Sequence, residues 1–158
     1  MATSEVLRVL NLDEVIKRLF FNHKSYYGSE EKWESAKKEK GKESDFAFLL
    51  KNGAYTVAKL FEKDKKPKST QFRKFYEEVI KLRNRGQRYK NDQKGFNTFI
   101  KPPLNLLYSK IYYAVERNLA GPTFKRVMEK SLDRIDSQEE LERFTLFMEA
   151  IIGFMKKN

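Results

Sequence analysis

Apolar side chains recur at three- and four-residue spacing along most of this chain, and nowhere alternate at two-residue spacing over a useful length. That period gives a helix a buried face and leaves a strand none. The clearest run is Leu141, Phe144, Phe147, Met148, Ile151, Phe154 and Met155. Ser137 and Glu140 stand ahead of it at capping-box spacing, where each side chain satisfies a free N–H of the first turn. Phe46, Leu49, Leu50, Ala54, Val57, Ala58, Leu60 and Phe61 predict a helix from Ser44 to about Lys63. Phe72, Phe75, Tyr76, Val79 and Leu82 predict another, with Ser69 or Thr70 as its cap. Val6, Leu7, Leu10, Val15, Ile16, Leu19 and Phe20 mark a stretch from Ser4 to His23, divided at Asn11. Pro102 and Pro103 stop one short helix and start the next. The inner face of that next helix is Leu104, Leu107, Tyr108, Ile111 and Val115, and it runs to Gly121–Pro122. Phe124, Val127, Met128 and Leu132 mark a further short helix. Ser29 to Lys40 is mostly charged, with only Trp33 and Ala36 apolar, and reads as a weak helix or a mobile arm. The polar, basic run from Arg85 to Gly95, holding Gly86 and Gly95, reads as an exposed connector or hinge. The expected fold is all-α, a compact bundle of five to seven helices, and 158 residues fit one domain.

The chain has no Cys and one His, His23. Thiol nucleophiles, disulfide frameworks, Cys-rich zinc sites and His–His metal pairs are therefore excluded. His23 is followed by Lys24, Ser25, Tyr26 and Tyr27 and has no orienting carboxylate beside it, so it is a poor general base. Asp133, Asp136, Glu139, Glu140 and Glu142 cluster in sequence. They are better read as a helix start, where negative charge offsets the dipole, than as metal ligands. A nuclease needs carboxylates embedded in the basic region. Only Glu77, Glu78, Asp92, Glu116 and Glu129 lie there, at no metal-ligand spacing. No catalytic residue, cofactor or metal is expected. Glu5, Arg8, Asp13 and Glu14 break any leader-like apolar stretch. Uncharged runs fall well short of the roughly 20 residues of a membrane span. The expectation is a soluble, cytoplasmic protein without a membrane partner.

The net charge is +11, and its distribution is uneven. Residues 65–130 hold 17 basic and 5 acidic side chains, while residues 1–64 are close to neutral and residues 131–158 are slightly acidic. A surplus concentrated in one stretch that also carries aromatics points to a polyanion, most commonly nucleic acid. Lys74, Lys81 and Arg85 are spaced i, i+7 and i+11, which places them on one helix face. Arg88 and Lys90 extend that charge, and Tyr89 between them is placed to stack on a base. Lys68, Gln71 and Arg73 flank it, with Arg73 alternatively bracing the fold beside the apolar stripe. Lys110, Tyr113 and Arg117 form a second face at i, i+3 and i+7. The competing reading of both faces is structural: internal pairs with Glu77 and Glu78, a half-buried Tyr113, and Arg117 paired with Glu116 or a helix end.

Three strings carry a family signature: Ala54 to Leu82, Lys101 to Arg117, and Phe144 to Lys156. Within them stand Ser69-Thr70-Gln71-Phe72-Arg73-Lys74-Phe75, a helix ending in Arg117, and the Phe-x-x-Phe-Met-Glu-Ala-Ile segment from Phe144 to Ile151. Together they resemble the small subunit of the type III-A (Csm) CRISPR effector complex. The resemblance covers residues 44–158 and leaves 1–43 as a variable N-terminal helical extension. It implies a non-catalytic subunit of an RNA-guided antiviral defence complex. Such subunits stack along the backbone filament beside further copies of themselves. They touch target RNA paired with guide RNA through its phosphates, and bridge to the backbone and large subunits. Sequence is then read by guide–target pairing and the protein reads backbone and shape. Under this reading the candidate nucleic-acid-binding residues are Lys68, Gln71, Arg73, Lys74, Lys81, Arg85, Arg88, Lys90, Lys110 and Arg117.

The alternative is a sequence-specific DNA-binding helical regulator that inserts the Ser69–Arg85 helix into a major groove. The Lys-Lys-Pro loop ahead of that helix lacks the tight helical turn such readers use. A basic amphipathic membrane-surface helix fits less well, because the charge spans several helices.

Overall fold

The structure, a computed structural model, describes residues 9–19, 29, 31 and 46–156. Among these residues every regular element is helical: α1 (Leu12–Leu19), α2 (Ala54–Asp64), α3 (Ser69–Gly86), α4 (Gln93–Phe99), α5 (Leu107–Glu116), α6 (Pro122–Leu132) and α7 (Gln138–Phe154). A π-helical turn, Leu49–Gly53, leads into α2, and a five-residue helical turn, Lys101–Asn105, joins α4 to α5. The protein is an all-α bundle. The charged stretch from Ser29 to Lys40 lies outside the described residues except at Ser29 and Glu31, as does His23.

Each helix begins and ends for local reasons. Asn11 caps α1, its side-chain oxygen accepting the N–H of Glu14 at 3.2 Å. Asp13 and Glu14 in the first turn and Lys17 and Arg18 in the last complement the helix dipole. Helix α2 stops at Lys65, which turns left-handed at φ 64°. Ser137 caps α7 by accepting the N–H of Glu140 at 3.3 Å. The Glu140 carboxylate reaches back to accept the N–H of Asp136 at 2.8 Å, a capping box shifted by one residue. Pro122 opens α6, and Pro102 and Pro103 sit in the first turn of the short helical turn, where a missing N–H costs nothing.

The long aromatic stripe of α7 forms the centre of the core. This helix packs against α2 and α3 and buries Leu141, Phe144, Phe147, Met148 and Ile151 completely. Phe124 of α6 is also fully buried and meets Phe75 at 4.8 Å, Phe72 at 6.1 Å and Phe61 at 6.2 Å between ring centroids. Helix α1 is built into the same core through Val15, Ile16 and Leu19. Arg126 of α6 grips Asp13 through two N–H groups at 2.6–2.7 Å and 3.0 Å.

Two local expectations are corrected and a third is refined. The cap position of α3 falls on Lys68, one residue earlier than expected, and Ser69 is already helical. The stretch from Arg85 to Gly95 is the exposed connector expected, with only Gly86 and Gly95 buried, and it is helically ordered. Helix α3 continues through Gly86, a 3-10 turn follows at Gln87–Tyr89, and Asp92 caps α4 by accepting the N–H of Gly95 at 2.9 Å. Gly86 is there for close approach, since a Cβ at that position would lie 2.0 Å from Gln138 Oε1. The helix expected from Pro103 to Gly121 is divided at Leu106 and ends at Glu116. Asn118 turns left-handed at φ 62°, and the Leu119 N–H closes back onto the Ala114 carbonyl at 2.9 Å.

Candidate nucleic-acid interface

Helix α3 turns its apolar stripe, Phe72, Phe75, Val79 and Leu82, into the core. The 100° step per residue then presents Lys74, Glu78, Lys81 and Arg85 along one outer edge. Lys74, Lys81 and Arg85 are exposed and have no ion-pair partner among the described residues. Helix α5 buries Leu107, Ile111 and Ala114, which sets Lys110 and Tyr113 on its outer side. Between the two helices lies a groove of about 490 Å³. Gln71, Lys74 and Glu78 line it from α3, and Ser109, Lys110 and Tyr113 from α5. Phe75, Ala114 and Leu119 supply its apolar surface.

Lys110 crosses the groove to Glu78, Nζ to Oε1 at 3.1 Å. Arg117, just past the end of α5, lays its guanidinium over the Tyr113 ring at 4.6 Å. It does not pair with Glu116, and Tyr113 is more exposed than half-buried.

The ten residues expected from sequence thus fall into groups. Gln71, Lys74 and Lys110 meet in the groove, and Arg117 joins them through Tyr113. Lys81 and Arg85 prolong the α3 edge, and Arg88 and Lys90 are exposed beyond its end. Arg73 is exposed one step round the helix, so it does not brace the core. Lys68 is apart from the groove. It lines a separate 170 Å³ cavity with Glu62, Lys65 and Lys156. One face of Tyr89 is already taken, because its ring lies on Phe99 at 5.5 Å and 20°.

Part of the central surplus is spent in ion pairs: Lys101 with Asp136 at 3.2 Å, Lys125 with Glu129 at 3.1 Å, and Arg126 with Asp13. A cationic cluster missed in the sequence surrounds the last of these. Lys17, Arg126, Lys130 and Arg134 line a 250 Å³ cavity with Asp13. The i, i+4, i+8 spacing of Arg126, Lys130 and Arg134 was its available signal.

The acidic residues ahead of α7 have structural partners. Asp133 accepts a hydrogen bond from the Tyr108 hydroxyl at 2.5 Å. Burial first, then this bond, raises the Tyr108 phenol above its ordinary value near 10. Burial and a 2.9 Å bond to Glu149 act on Tyr76 in the same direction. Among the described residues no three His, Cys, Asp or Glu side chains converge as metal ligands. None of the described helices is long and apolar enough to cross a membrane.

No curated protein and no solved structure matches the chain. The family model Csm2 Type III-A matches residues 43–158. That range contains both helices of the groove and the whole of α7, whereas α1 precedes it. With most of its length matched, the chain belongs to the Csm2 family, the small subunits of the type III-A CRISPR effector.

Proposed function

We propose that this protein is a non-catalytic, cytoplasmic subunit that binds RNA along its sugar–phosphate backbone through the edge formed by α3 and α5. The observation that carries the reading is the row of Lys74, Lys81 and Arg85, exposed on one face of α3 and lacking carboxylate partners among the described residues. Solvated cations at two- and three-turn spacing can each meet a phosphate, and Arg does so with two parallel N–H donors. Lys110, Arg117 and Gln71 widen the track across the groove, and Arg88 and Lys90 lengthen it. Arg73 flanks it, and Lys68, apart from the groove, stands at the start of α3.

In the assembled complex the RNA is target strand paired with guide. The subunit stacks along the backbone filament beside further copies of itself, and bridges to the large subunit. Its contacts are independent of sequence, because base pairing supplies the specificity. The test is the affinity of the isolated protein for single-stranded RNA over a salt series. The log–log slope should be about −0.7 per phosphate neutralised, and RNAs of different sequence should bind alike. A marked base preference that survives high salt would contradict the reading.

A further inference from the structure

Phosphate contact leaves the apolar lining of the α3–α5 groove unexplained. Backbone phosphates need donors at a rim; Lys74 supplies one, and Lys110, paired across the groove with Glu78 at 3.1 Å, supplies a second when a phosphate displaces that carboxylate. Below that rim lie Phe75, Ala114 and Leu119. Leu119 is 45% and Tyr113 55% exposed, whereas Phe75 and Ala114 are nearly covered at 6% and 2%, so Leu119 and the Tyr113 ring are the apolar surface that meets water in this groove. Proteins that hold single strands place this combination, an aromatic or apolar platform inside a cationic groove, under unstacked bases. Every base has an apolar face, so such a platform tolerates any sequence. Gln71 adds an amide that donates and accepts, and Ser109 a hydroxyl that gives its proton to the Leu106 carbonyl at 2.9 Å and is left to accept. They can therefore meet the polar edge of any base.

We propose that the groove takes one unstacked nucleotide of single-stranded RNA, its base on a floor formed by Leu119 and Tyr113 and its phosphate between Lys74 and Lys110. The inference rests on the reading of this face as an RNA-backbone track, and it narrows that track's ligand at the groove to an unpaired residue. A base held in the guide–target stack has no face to offer the floor, so the site takes a nucleotide left unpaired beside that duplex. An apolar protein segment is the other occupant the floor would suit. The cationic rim and the paired amide and hydroxyl favour the nucleotide.

The experiment measures binding of the full chain, by fluorescence anisotropy, to a ten-residue uridine RNA and to a ribose–phosphate oligomer of the same length without bases. The two probes carry equal charge. The abasic oligomer should bind roughly ten-fold more weakly, the loss expected when stacking is removed. Leu119→Ser leaves every charge in place at an exposed position, and thermal melting checks that it stays folded. It should weaken the uridine RNA several-fold and leave the abasic oligomer unchanged. Equal affinity of the two oligomers overturns the base-binding inference and leaves the phosphate track standing. Binding of neither oligomer overturns both. A folded Leu119→Ser protein that holds uridine RNA as tightly as the parent overturns the inference too, and assigns the floor to protein.

Discussion

Lys110 Nζ stands 3.1 Å from Glu78 Oε1, so the one carboxylate that lines the α3–α5 groove among the described residues is engaged with a cation of the opposite helix. Both side chains are about half exposed, so the pair contributes little to stability. Its effect is on charge: Glu78 offsets part of the positive potential where RNA is proposed to bind. Glu78→Gln should therefore tighten RNA binding. A surface charge at this range is worth about 1 kcal/mol, or roughly five-fold in affinity. The salt slope should steepen by up to about 0.7 if Lys110 becomes free to meet a phosphate. Anisotropy titrations on the two proteins check this, and weaker binding by the variant would place the RNA elsewhere.

Gly86→Ala should destabilise the protein even though alanine is the better helix former. The added Cβ would lie 2.0 Å from Gln138 Oε1 and 2.8 Å from its Cδ. Gln138 is buried, and its Nε2 donates to the Arg83 carbonyl at 2.8 Å. Moving it breaks a buried bond worth about 1–3 kcal/mol, against a propensity gain of at most about 1 kcal/mol. A net loss near 1 kcal/mol should lower the urea midpoint. A raised midpoint would show that the start of α7 is not held against α3.

Phe124→Ala should cost about 3–4 kcal/mol. The ring is fully buried and sits among Phe61, Phe72 and Phe75, which join α2 and α3 to α6. Chemical denaturation measures the loss. A cost under about 1 kcal/mol would mean that these aromatic contacts are not formed together.

The Tyr108 phenol sits above its ordinary value near 10 because of burial and its bond to Asp133. In the unfolded chain it ionises first, so the native state holds this proton more tightly. Its contribution is fully present below the unfolded value near 10 and is lost as pH rises towards the folded one. Stability of the parent should fall between about pH 9 and pH 12, and less steeply in Tyr108→Phe. Thermal melting over that range checks the sign. Identical pH profiles would show that Tyr108 is not bonded to Asp133.

What the sequence made legible follows from how local the cause is. The α7 stripe was readable because every apolar position on it is set by the helix period, and the Ser137 cap because its partner is three residues away. Lys74, Lys81 and Arg85 were readable as one edge for the same reason. The longer-range relationships were not. Gly86 looks like a hinge until Gln138, 52 positions later, is seen against it. Tyr89 looks like a free stacking ring until Phe99 takes one of its faces. Nothing near Asp13 in the chain announces Arg126, yet that pair ties α1 to α6. Lys110 and Glu78 likewise come from different helices, so the sequence counted their charges without showing that they meet.

The central claim is that the outer edge of α3 is an RNA-backbone track. It is tested most directly by the salt dependence of RNA binding in the triple variant Lys74→Gln, Lys81→Gln, Arg85→Gln. All three side chains are exposed, so the fold should persist, as circular dichroism will show. The account predicts that the log–log slope becomes shallower by about 2, three contacts at about 0.7 each, with affinity falling alike for every RNA sequence. A folded variant with the parent's slope and affinity would contradict it.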